Sequence, residues 1–447
     1  MHIVGSGNCE CAFCKNQNTF DLPDDIIEAA ECGNLVIFAG AGVSTESKTV
    51  FKYSLFEDVQ RELEIKEDIS FSKLMSKYCD TANGRIKLLK KIKDRFDYVT
   101  SFPELQRRAS SFHRELSSIY MINEIITTNW DDLFERYCGA IPIVTPEDFV
   151  FWTLPDRKVL KIHGSIHNLG SIIATEEDYN KCYNTLNTGL IGSSLKMILA
   201  TKYVIFCGYS FGDEDFNCIY NSLLKEMNGL MPHAFIVTLD DNAIEKFKSI
   251  NITPIFTDAT YFISKLKDAL NAKSLILPDE LYKSVNLMLD KVGDEHDLLS
   301  SAFNIKEHPE IIYSLFYQDG LIHALERVLA LKRTGYYSNP YRISHTIDSY
   351  IKWKSKKSKK KLYTDVAYIE GYLNGLVYIL ADDEHRSKIP LYFMFGYNSD
   401  IFTLDEYKNL INTNEILHRT SHKLAQKIVS TITNESGEMV FHHTPFL

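Results

Sequence analysis

Short apolar runs recur along the first 275 residues, and glycine or small polar residues follow most of them. The clearest run, Leu35–Ala39, is unbroken, as expected of a parallel strand that is buried on both faces. The pattern therefore predicts an α/β domain with a parallel sheet, in which Pro254 suits an edge strand. The other predicted strands are Ile122–Thr128, Val159–Ile162, Ser171–Ala174, Tyr203–Cys207, Ala234–Leu239 and Ile252–Phe256.

Apolar residues at helical spacing fill the intervals between these strands. A helix is predicted from about Asp21, its cap, to a stop before Gly33, with Pro23 in the first turn. Between Phe51 and Tyr120 the spacing is helical in a polar background, which indicates a helical insertion in the sheet domain. Further helices are predicted over residues 176–183, 190–200 and 261–270.

The composition changes after Lys273. From about Pro278 to the end, helical periodicity continues with almost no strand–glycine pattern. We therefore predict an irregular leader at residues 1–20, an α/β domain at 21–275 and a mainly α-helical domain at 276–447. The lysine-rich run Lys352–Lys361 is typical of a solvated loop. The alternative is a nucleic-acid contact, because Trp353 and Tyr363 are near it in sequence.

Composition and charge restrict the class of protein. The chain has 447 residues, 45% of them apolar, and a formal net charge of −10, which argues against nucleic acid as a partner of the whole protein. It has no apolar run long enough to cross a membrane and no secretory signal pattern. The nine cysteines are scattered, as is typical of reduced thiols, so we predict a cytoplasmic protein.

One cysteine cluster, Cys9, Cys11 and Cys14, raises the question of a metal. Three thiols could bind zinc with a fourth ligand such as Cys32 or a histidine, but the paired spacing of zinc modules is missing. The alternative is a flexible leader with free thiols. We expect no metal.

Two glycine turns carry candidate phosphate chemistry. Gly40-Ala41-Gly42 follows the first strand, where missing side chains let backbone amides approach a ligand, and Ser44 and Thr45 follow where a helix would begin. Gly208-Tyr209-Ser210 follows Tyr203–Cys207 in the same way, and Asp213 opens the next helix. Acidic residues at a helix start are common for dipole reasons, although a metal is the alternative at Asp213. Either turn alone is a weak signal.

Polar side chains also follow two other strands. Asn129 can hold a ribose hydroxyl or a water, and Asp131 can accept from ribose hydroxyls; the alternative is that both only cap the next helix. Thr128 immediately precedes Asn129. His163 ends Val159–Ile162 and can take a proton near neutral pH. His167 is interpreted as a surface residue, and His113 as a packing or capping residue.

In chain order these motifs resemble the sirtuin family, whose signature is Gly-Ala-Gly-x-Ser, Thr-x-Asn-x-Asp, His-Gly and Gly-x-Ser. The resemblance covers roughly residues 30–270. It implies a Rossmann-like sheet that binds NAD as substrate and an attack on the nicotinamide–ribose bond. It further implies catalytic roles for Asn129 and His163. The NAD-binding residues implied are Gly40, Ala41, Gly42, Ser44, Thr128, Asp131, Gly208, Ser210 and Asp213.

Differences from the sequence motifs of the sirtuin deacylases indicate which branch of the family this chain resembles. Those enzymes carry paired Cys-x-x-Cys motifs after His-Gly, whereas this chain has only Cys182 before Cys207. Their glycine motif continues into Gly-Ile-Pro-Asp-Phe-Arg, which residues 45–50 replace. The chain is more similar to prokaryotic antiphage NADases, which implies that it hydrolyses NAD to nicotinamide and ADP-ribose. The alternatives are an NAD-dependent protein-lysine deacylase and a non-catalytic subunit that binds NAD or nucleic acid.

The resemblance also implies partners. Thoeris-type NADases carry a C-terminal Rossmann-like sensor, and no such strand–glycine pattern occurs here after residue 276. Other members pair with a HerA-type ATPase or with a phage-sensing chain. We therefore expect a homo-oligomer, with one of these as a further partner, and no membrane association.

Overall fold

The computed structural model describes residues 15–44, 51–211, 214–228, 230–247, 251–413, 417–432 and 442–445. It divides into two compact units. The first comprises Met1–Ile276 with Arg333–Gly335, and the second comprises Leu277–Lys332 with Tyr336–Leu447. Thr45, Asp213 and the cluster of Cys9, Cys11 and Cys14 lie outside the described residues.

The first unit is built on a parallel sheet. Its strands are β1 Leu35–Ala39, β2 Glu124–Thr127, β3 Ile141–Ile143, β4 Lys158–Lys161, β5 Tyr203–Cys207, β6 Ala234–Thr238 and β7 Ile252–Phe256. Its helices are α1 Asp24–Glu31, α2 Leu55–Glu62, α3 Phe71–Cys79, α4 Gly84–Ser101, α5 Pro103–Ala109, α6 Ser111–Ser117, α7 Leu133–Cys138, α8 Glu176–Thr188, α9 Leu190–Thr201, α10 Glu214–Glu226, α11 Ala243–Phe247 and α12 Ala259–Ala272.

The strand order β3-β4-β2-β1-β5-β6-β7 places β1 at the centre. All five residues of β1 are buried, with Leu35, Ile37 and Ala39 in the core on one face. Val36 and Phe38 pack into the core on the other face. Helices α1, α6 and α12 contribute to the first core, and α8, α9 and α10 to the second. The predicted Rossmann-like α/β fold is therefore confirmed.

The outer strands show where the sequence pattern was incomplete. Pro254 lies in the edge strand β7, as predicted, because proline has no N–H for a further neighbour. The other edge strand, β3, was missed. It has only three residues, and its central residue is Pro142, so it shows no recognisable strand pattern. Helix α1 begins at Asp24 with Pro23 as its N-cap, so the predicted cap at Asp21 is wrong.

The stretch from Phe51 to Tyr120 is helical, as predicted, and contains α2 to α6 between β1 and β2. The predicted strand Ser171–Ala174 is wrong. Ile172 and Ala174 are buried in the core of the helical insertion, and the carbonyl of Ile172 accepts a hydrogen bond from Arg85 at 2.7 Å. Its apolar alternation therefore reflects packing against helices, not pairing within the sheet.

The second unit is mainly helical, as predicted. Its helices are α13 Leu281–Ala302, α14 Ile311–Ala330, α15 Pro340–Lys359, α16 Tyr363–Leu380, α17 Asp383–Arg386, α18 Leu404–Asn412 and α19 Arg419–Ile432. Most of the lysine run lies within α15, so the predicted loop is wrong. Lys354 pairs with Glu370 at 2.5 Å and Lys357 with Asp365 at 2.7 Å; these acids of α16 offset the repulsion between lysines. Among the described residues no helix has the length and apolarity that a bilayer crossing requires.

Helices α14 and α16 approach each other at two glycines. A Cβ on Gly371 would lie 1.8 Å from the carbonyl oxygen of Tyr317, and one on Gly320 would lie 2.0 Å from that of Tyr368. Neither backbone atom can move without shifting a helix. Contact between these helices therefore depends on the missing side chains.

We predict that Gly371→Ala destabilises the protein by about 1–3 kcal/mol or more, because the added methyl overpacks a helix contact. The measurement is chemical unfolding of the full chain followed by circular dichroism. The matched control is Gly293→Ala on α13, where an added Cβ has no atom within 4 Å. That control should stabilise by about 0.5–1 kcal/mol, since alanine favours the helix. Equal effects at the two positions would contradict the packing argument.

Candidate functional site

The strand register brings the predicted residues to one edge of the sheet. Ala39 is paired with Thr127 on one side and with Cys207 on the other. Thr127 is in turn paired with Lys161. The chain segments that follow these four strands carry Gly40, Asn129, His163 and Gly208. They therefore leave neighbouring strands at the carboxyl edge, where α/β sheets bind their ligands.

The two glycine turns pack directly against each other. The Gly40 N–H donates to the Cys207 carbonyl, and the Gly42 N–H to the Gly208 carbonyl, both at 2.9 Å. A Cβ on Gly42 would lie 2.7 Å from the Gly208 Cα, and one on Gly208, whose φ is +59°, would lie 2.5 Å from the Val43 nitrogen. The glycines thus permit backbone-to-backbone contact between the turns.

Hydrogen bonds within the protein use most amides of the first turn. The N–H of Val43 donates to the Gly40 carbonyl at 3.2 Å, and that of Ser44 to the Ala41 carbonyl at 3.1 Å. The amides of Gly40 and Gly42 are also engaged, and the predicted phosphate contact of this turn stays a prediction. The turn Ala41–Val43 is a short 3₁₀ helix. Ala41 and Gly42 are exposed on it.

Asn129 is held in one orientation. Its Nδ2 donates to the Gly40 carbonyl at 3.1 Å and to Ser44 Oγ at 2.9 Å, and its backbone N–H donates to Thr127 Oγ1 at 3.0 Å. The residue is only 6% exposed. Its Oδ1 is buried and has no hydrogen-bond partner among the described residues. Because both amide hydrogens are engaged, the side chain offers an acceptor and no donor.

His163 follows the neighbouring strand and is 3% exposed. Its ring meets Tyr179 of α8 edge to face, with centroids 5.2 Å apart. Its carbonyl accepts from the Ile173 N–H at 3.0 Å. Gly164 has φ +89°, and a Cβ there would lie 2.1 Å from the Ser171 carbonyl oxygen. The His-Gly pair therefore marks a point where the following loop folds back tightly.

Asp131 makes the capping contact that the sequence analysis gave as the alternative to ribose binding. Its Oδ1 accepts from the Leu133 N–H at 3.0 Å at the start of α7. Below it, the buried Lys161 donates to the Asp131 carbonyl and pairs with Glu135 at 3.1 Å. Burial raises the pKa of Glu135, against the opposing effect of the Lys161 charge. Whether Asp131 also contacts a ribose stays a prediction.

The remaining predicted residues are placed less tightly. The Thr128 N–H donates to the Ala39 carbonyl at 3.3 Å, and Thr128 is half-buried. Ser210 is exposed beyond the second glycine turn. Asp213 lies outside the described residues, so its metal and phosphate alternatives stay predictions.

Sequence reasoning missed several supporting residues. Thr127 Oγ1 donates to the Ala39 carbonyl at 2.8 Å while accepting from Asn129, which ties β1 to the asparagine. Tyr179 and Lys161 were also missed. Lys161 had a signal, since a lysine inside an otherwise apolar strand needs a buried partner. Tyr179 had none, because its contact with His163 depends on how α8 packs.

Two histidines kept outside the predicted site stay outside it. His167 is two-thirds exposed and lies 2.9 Å from Asp132. Burial acts to raise the pKa of Asp132, but the hydrogen bonds from Arg136 and His167 outweigh it and lower that pKa. His113 is fully buried, and its ring lies 4.4 Å from that of Phe134. Neither of its ring nitrogens has a hydrogen-bond partner among the described residues.

The family comparison agrees with this geometry. The family model of the SIR2-like domain matches residues 123–255, from the start of β2 into β7. This stretch of the chain is similar to a SIR2-like domain. The resemblance to sirtuins is thus confirmed, and the first glycine turn lies outside the matched range of this domain.

Curated relatives extend the likeness. The chain is 24% identical to defense-associated sirtuin 2 of Bacillus subtilis, over 74% of this chain and 32% of that protein. It is 32% identical to NAD(+) hydrolase ThsA of Enterococcus faecium, over 44% of this chain and 41% of that protein. It is 29% identical to NAD(+) hydrolase ThsA of Cytobacillus dafuensis, over 63% of this chain and 55% of that protein. The chain thus spans about a third to about half of the length of these relatives.

We predict that His113 makes folding sensitive to acid. Burial lowers its pKa from 6.5 to about 4, with Asp131 opposing and Lys161 adding to the effect. Below pH 6.5 His113 is protonated in the unfolded chain, whereas in the folded chain it stays neutral until about pH 4. The stability is therefore complete above pH 6.5 and falls by up to about 3 kcal/mol as the pH approaches 4.

His113→Leu should remove the part of the acid-induced loss of stability that His113 causes. Unfolding midpoints in urea at neutral and at mildly acidic pH measure this loss. The variant should lose less stability on acidification than the wild type. His345→Leu, at an exposed position on α15, should keep the wild-type acid response. An unchanged acid response in His113→Leu would show that the ring is protonated in the folded state.

Proposed function

We propose that this protein hydrolyses NAD at the nicotinamide–ribose bond and releases nicotinamide and ADP-ribose. Three curated relatives carry the name NAD(+) hydrolase ThsA. The activity is a proposal for this chain, because it spans only part of those proteins. The residues at the carboxyl edge of the sheet support it.

The observation that carries the proposal is the fixed acceptor of Asn129. Its buried Oδ1 lacks a partner, although a buried polar atom left unsatisfied costs about 1–3 kcal/mol. A water molecule or a ribose hydroxyl would satisfy it by donating a hydrogen bond. A water held in this way keeps its oxygen lone pairs available for attack on C1′ of the ribose. This is the positioning role that hydrolysis requires.

His163 is the proposed base. It follows β4, which neighbours the strand that precedes Asn129, and the contact with Tyr179 restricts its ring. An imidazole there can take a proton from the ribose or from the attacking water. Gly40, Ala41, Gly42, Ser44, Thr128, Asp131, Gly208, Ser210 and Asp213 stay proposed NAD contacts. Since the amides of Gly40, Gly42, Val43 and Ser44 are engaged, we propose that the phosphate contacts of the first turn come from the Ala41 N–H and from the Ser44 hydroxyl, which accepts from Asn129 and keeps its own hydrogen.

Lysine deacylation has less support. The cysteines after His163 and before Ser210 are Cys182 and Cys207, and both are buried. Cys182 lies in α8 with its Sγ 3.4 Å from the Ile162 carbonyl, and Cys207 lies in the central part of the sheet. Neither position allows the paired-cysteine zinc module of the deacylases. The proposed reaction needs no metal.

The biological role is also a proposal. One relative is named defense-associated sirtuin 2, which supports a role in defence. We propose that this role is an antiphage response that depletes NAD in the cytoplasm. We further propose a homo-oligomer, with assembly through the helical unit and with a HerA-type ATPase or a phage-sensing chain as partner. Light scattering on the full chain, alone and with a candidate partner, tests the assembly directly.

We predict that Asn129→Ala and His163→Ala lower nicotinamide release from NAD by at least about 100-fold, because each removes a group that positions or deprotonates the attacking species. The assay separates nicotinamide from NAD by chromatography, with and without an acetylated peptide. NAD should be consumed without the peptide.

Matched controls lie on the same elements. Asn123→Ala changes an exposed asparagine just before β2, and His167→Ala an exposed histidine in the loop after His163. Both should keep wild-type release. Full activity in Asn129→Ala and His163→Ala would refute their roles, and release that requires the acetylated peptide would favour the deacylase.

A further inference from the structure

Two histidines and a buried aspartate from separate segments of the helical unit converge on one point. His296 lies in α13, Asp319 in α14 and His442 in the described segment 442–445. The Oδ1 atom of Asp319 lies 3.5 Å from His296 Nε2 and 3.2 Å from His442 Nδ1. The three potential ligand atoms lie within 4.8 Å of one another.

Two of the three separations are close to those in a tetrahedral metal site. Zinc binds histidine nitrogen and carboxylate oxygen at about 2.0–2.2 Å, so two ligands of a tetrahedron are about 3.3–3.6 Å apart. The two measured separations, 3.2 and 3.5 Å, lie close to this range. An ion could therefore be bound with small side-chain adjustments.

Burial supplies a second, independent argument. The His296 side chain is only 10% exposed and that of Asp319 only 7%. His296 Nε2 has no hydrogen-bond partner among the described residues, although it points toward the carboxylate. A buried carboxylate requires a cationic partner, and the ion-pair partners of Asp319 in the described chain are His296 and His442. A divalent cation would satisfy the nitrogen and the carboxylate together.

The surrounding contacts hold the carboxylate in place. The His443 N–H donates to Asp319 Oδ2 at 2.9 Å, which leaves Oδ1 directed at the two histidines. The His443 ring stacks on Tyr368, with centroids 4.2 Å apart, and its Nε2 lies 3.2 Å from Asp365. Such outer contacts orient metal ligands in known sites. The His442 side chain is 64% exposed, which leaves a solvent side for a fourth ligand.

We propose that His296, Asp319 and His442 bind a divalent transition metal, with Zn²⁺ preferred, and that the ion fastens segment 442–445 to α13 and α14. Two imidazoles with one carboxylate suit zinc rather than magnesium or calcium, which prefer oxygen ligands. The site does not take part in the proposed reaction with NAD. Its test is therefore independent of that proposal.

The test is Zn²⁺ titration of the chelator-treated full chain by calorimetry. The titration compares the wild-type protein with a triple variant, Cys9→Ser, Cys11→Ser and Cys14→Ser. The triple variant shows whether the N-terminal cysteines contribute to zinc binding. One ion per chain should bind in both. His442→Ala and Asp319→Asn should each weaken binding by at least about 100-fold, since even outer-shell losses cost about 10–100-fold. The exposed His345→Ala is the matched control and should bind as wild type.

Two further readouts define the outcome. Co²⁺ in the triple-serine background should give the intense visible absorption of a tetrahedral site, and Asp319→Asn should abolish it. Zn²⁺ should slow hydrogen exchange at residues 442–445 in the wild type but not in His442→Ala. Zinc binding that disappears in the triple-serine background, or that survives both His442→Ala and Asp319→Asn, would overturn the proposal, as would no binding at all.

Discussion

The contact between the two glycine turns is the constraint on which the candidate site depends. Gly42 and Gly208 meet with no room for a Cβ on either, and the amides of the first turn bind the second. This contact fixes the end of β1, including the Gly40 carbonyl. That carbonyl, with Ser44 Oγ, takes both amide hydrogens of Asn129. The orientation of the asparagine is thus a consequence of backbone packing two strands away.

This arrangement gives the glycines of the first turn a structural role in addition to any ligand contact. Glycine in such turns is commonly explained by backbone approach to phosphate. Here Gly42 faces protein backbone first, and an alanine would displace the second turn before it met a ligand. Loss of activity on mutation of these glycines therefore need not mean loss of a phosphate contact, since it also follows from release of Asn129.

The sequence predicted the parts of the fold that local pattern determines. Buried strands such as β1 and β5 were recognised because both faces are apolar, and the motifs placed Asn129 and His163 at the sheet edge. The predictions that failed concern segments whose structure depends on contacts with residues far away in the sequence. Ile172 and Ala174 alternate like a strand because they pack against the helical insertion. The lysines of α15 remain helical because Asp365 and Glu370 lie on the next helix. Tyr179 was missed for the same reason, since its contact with His163 depends on how α8 packs.

His113, Asn129 and His296 each have a buried polar atom that makes no hydrogen bond to the described residues, and the three cases differ. His113 lies against Phe134 and keeps a neutral ring, because burial lowers its pKa to about 4. Asn129 is neutral, and its Nδ2 donates to the Gly40 carbonyl and to Ser44 Oγ. Its Oδ1 is left as an acceptor, which suits a small hydroxylic ligand. His296 faces a buried carboxylate and a second imidazole, which suits a cation. The missing partner alone thus carries little meaning. The charge and the geometry of the surrounding groups distinguish a packed ring from the proposed substrate contact and from the proposed metal ligand.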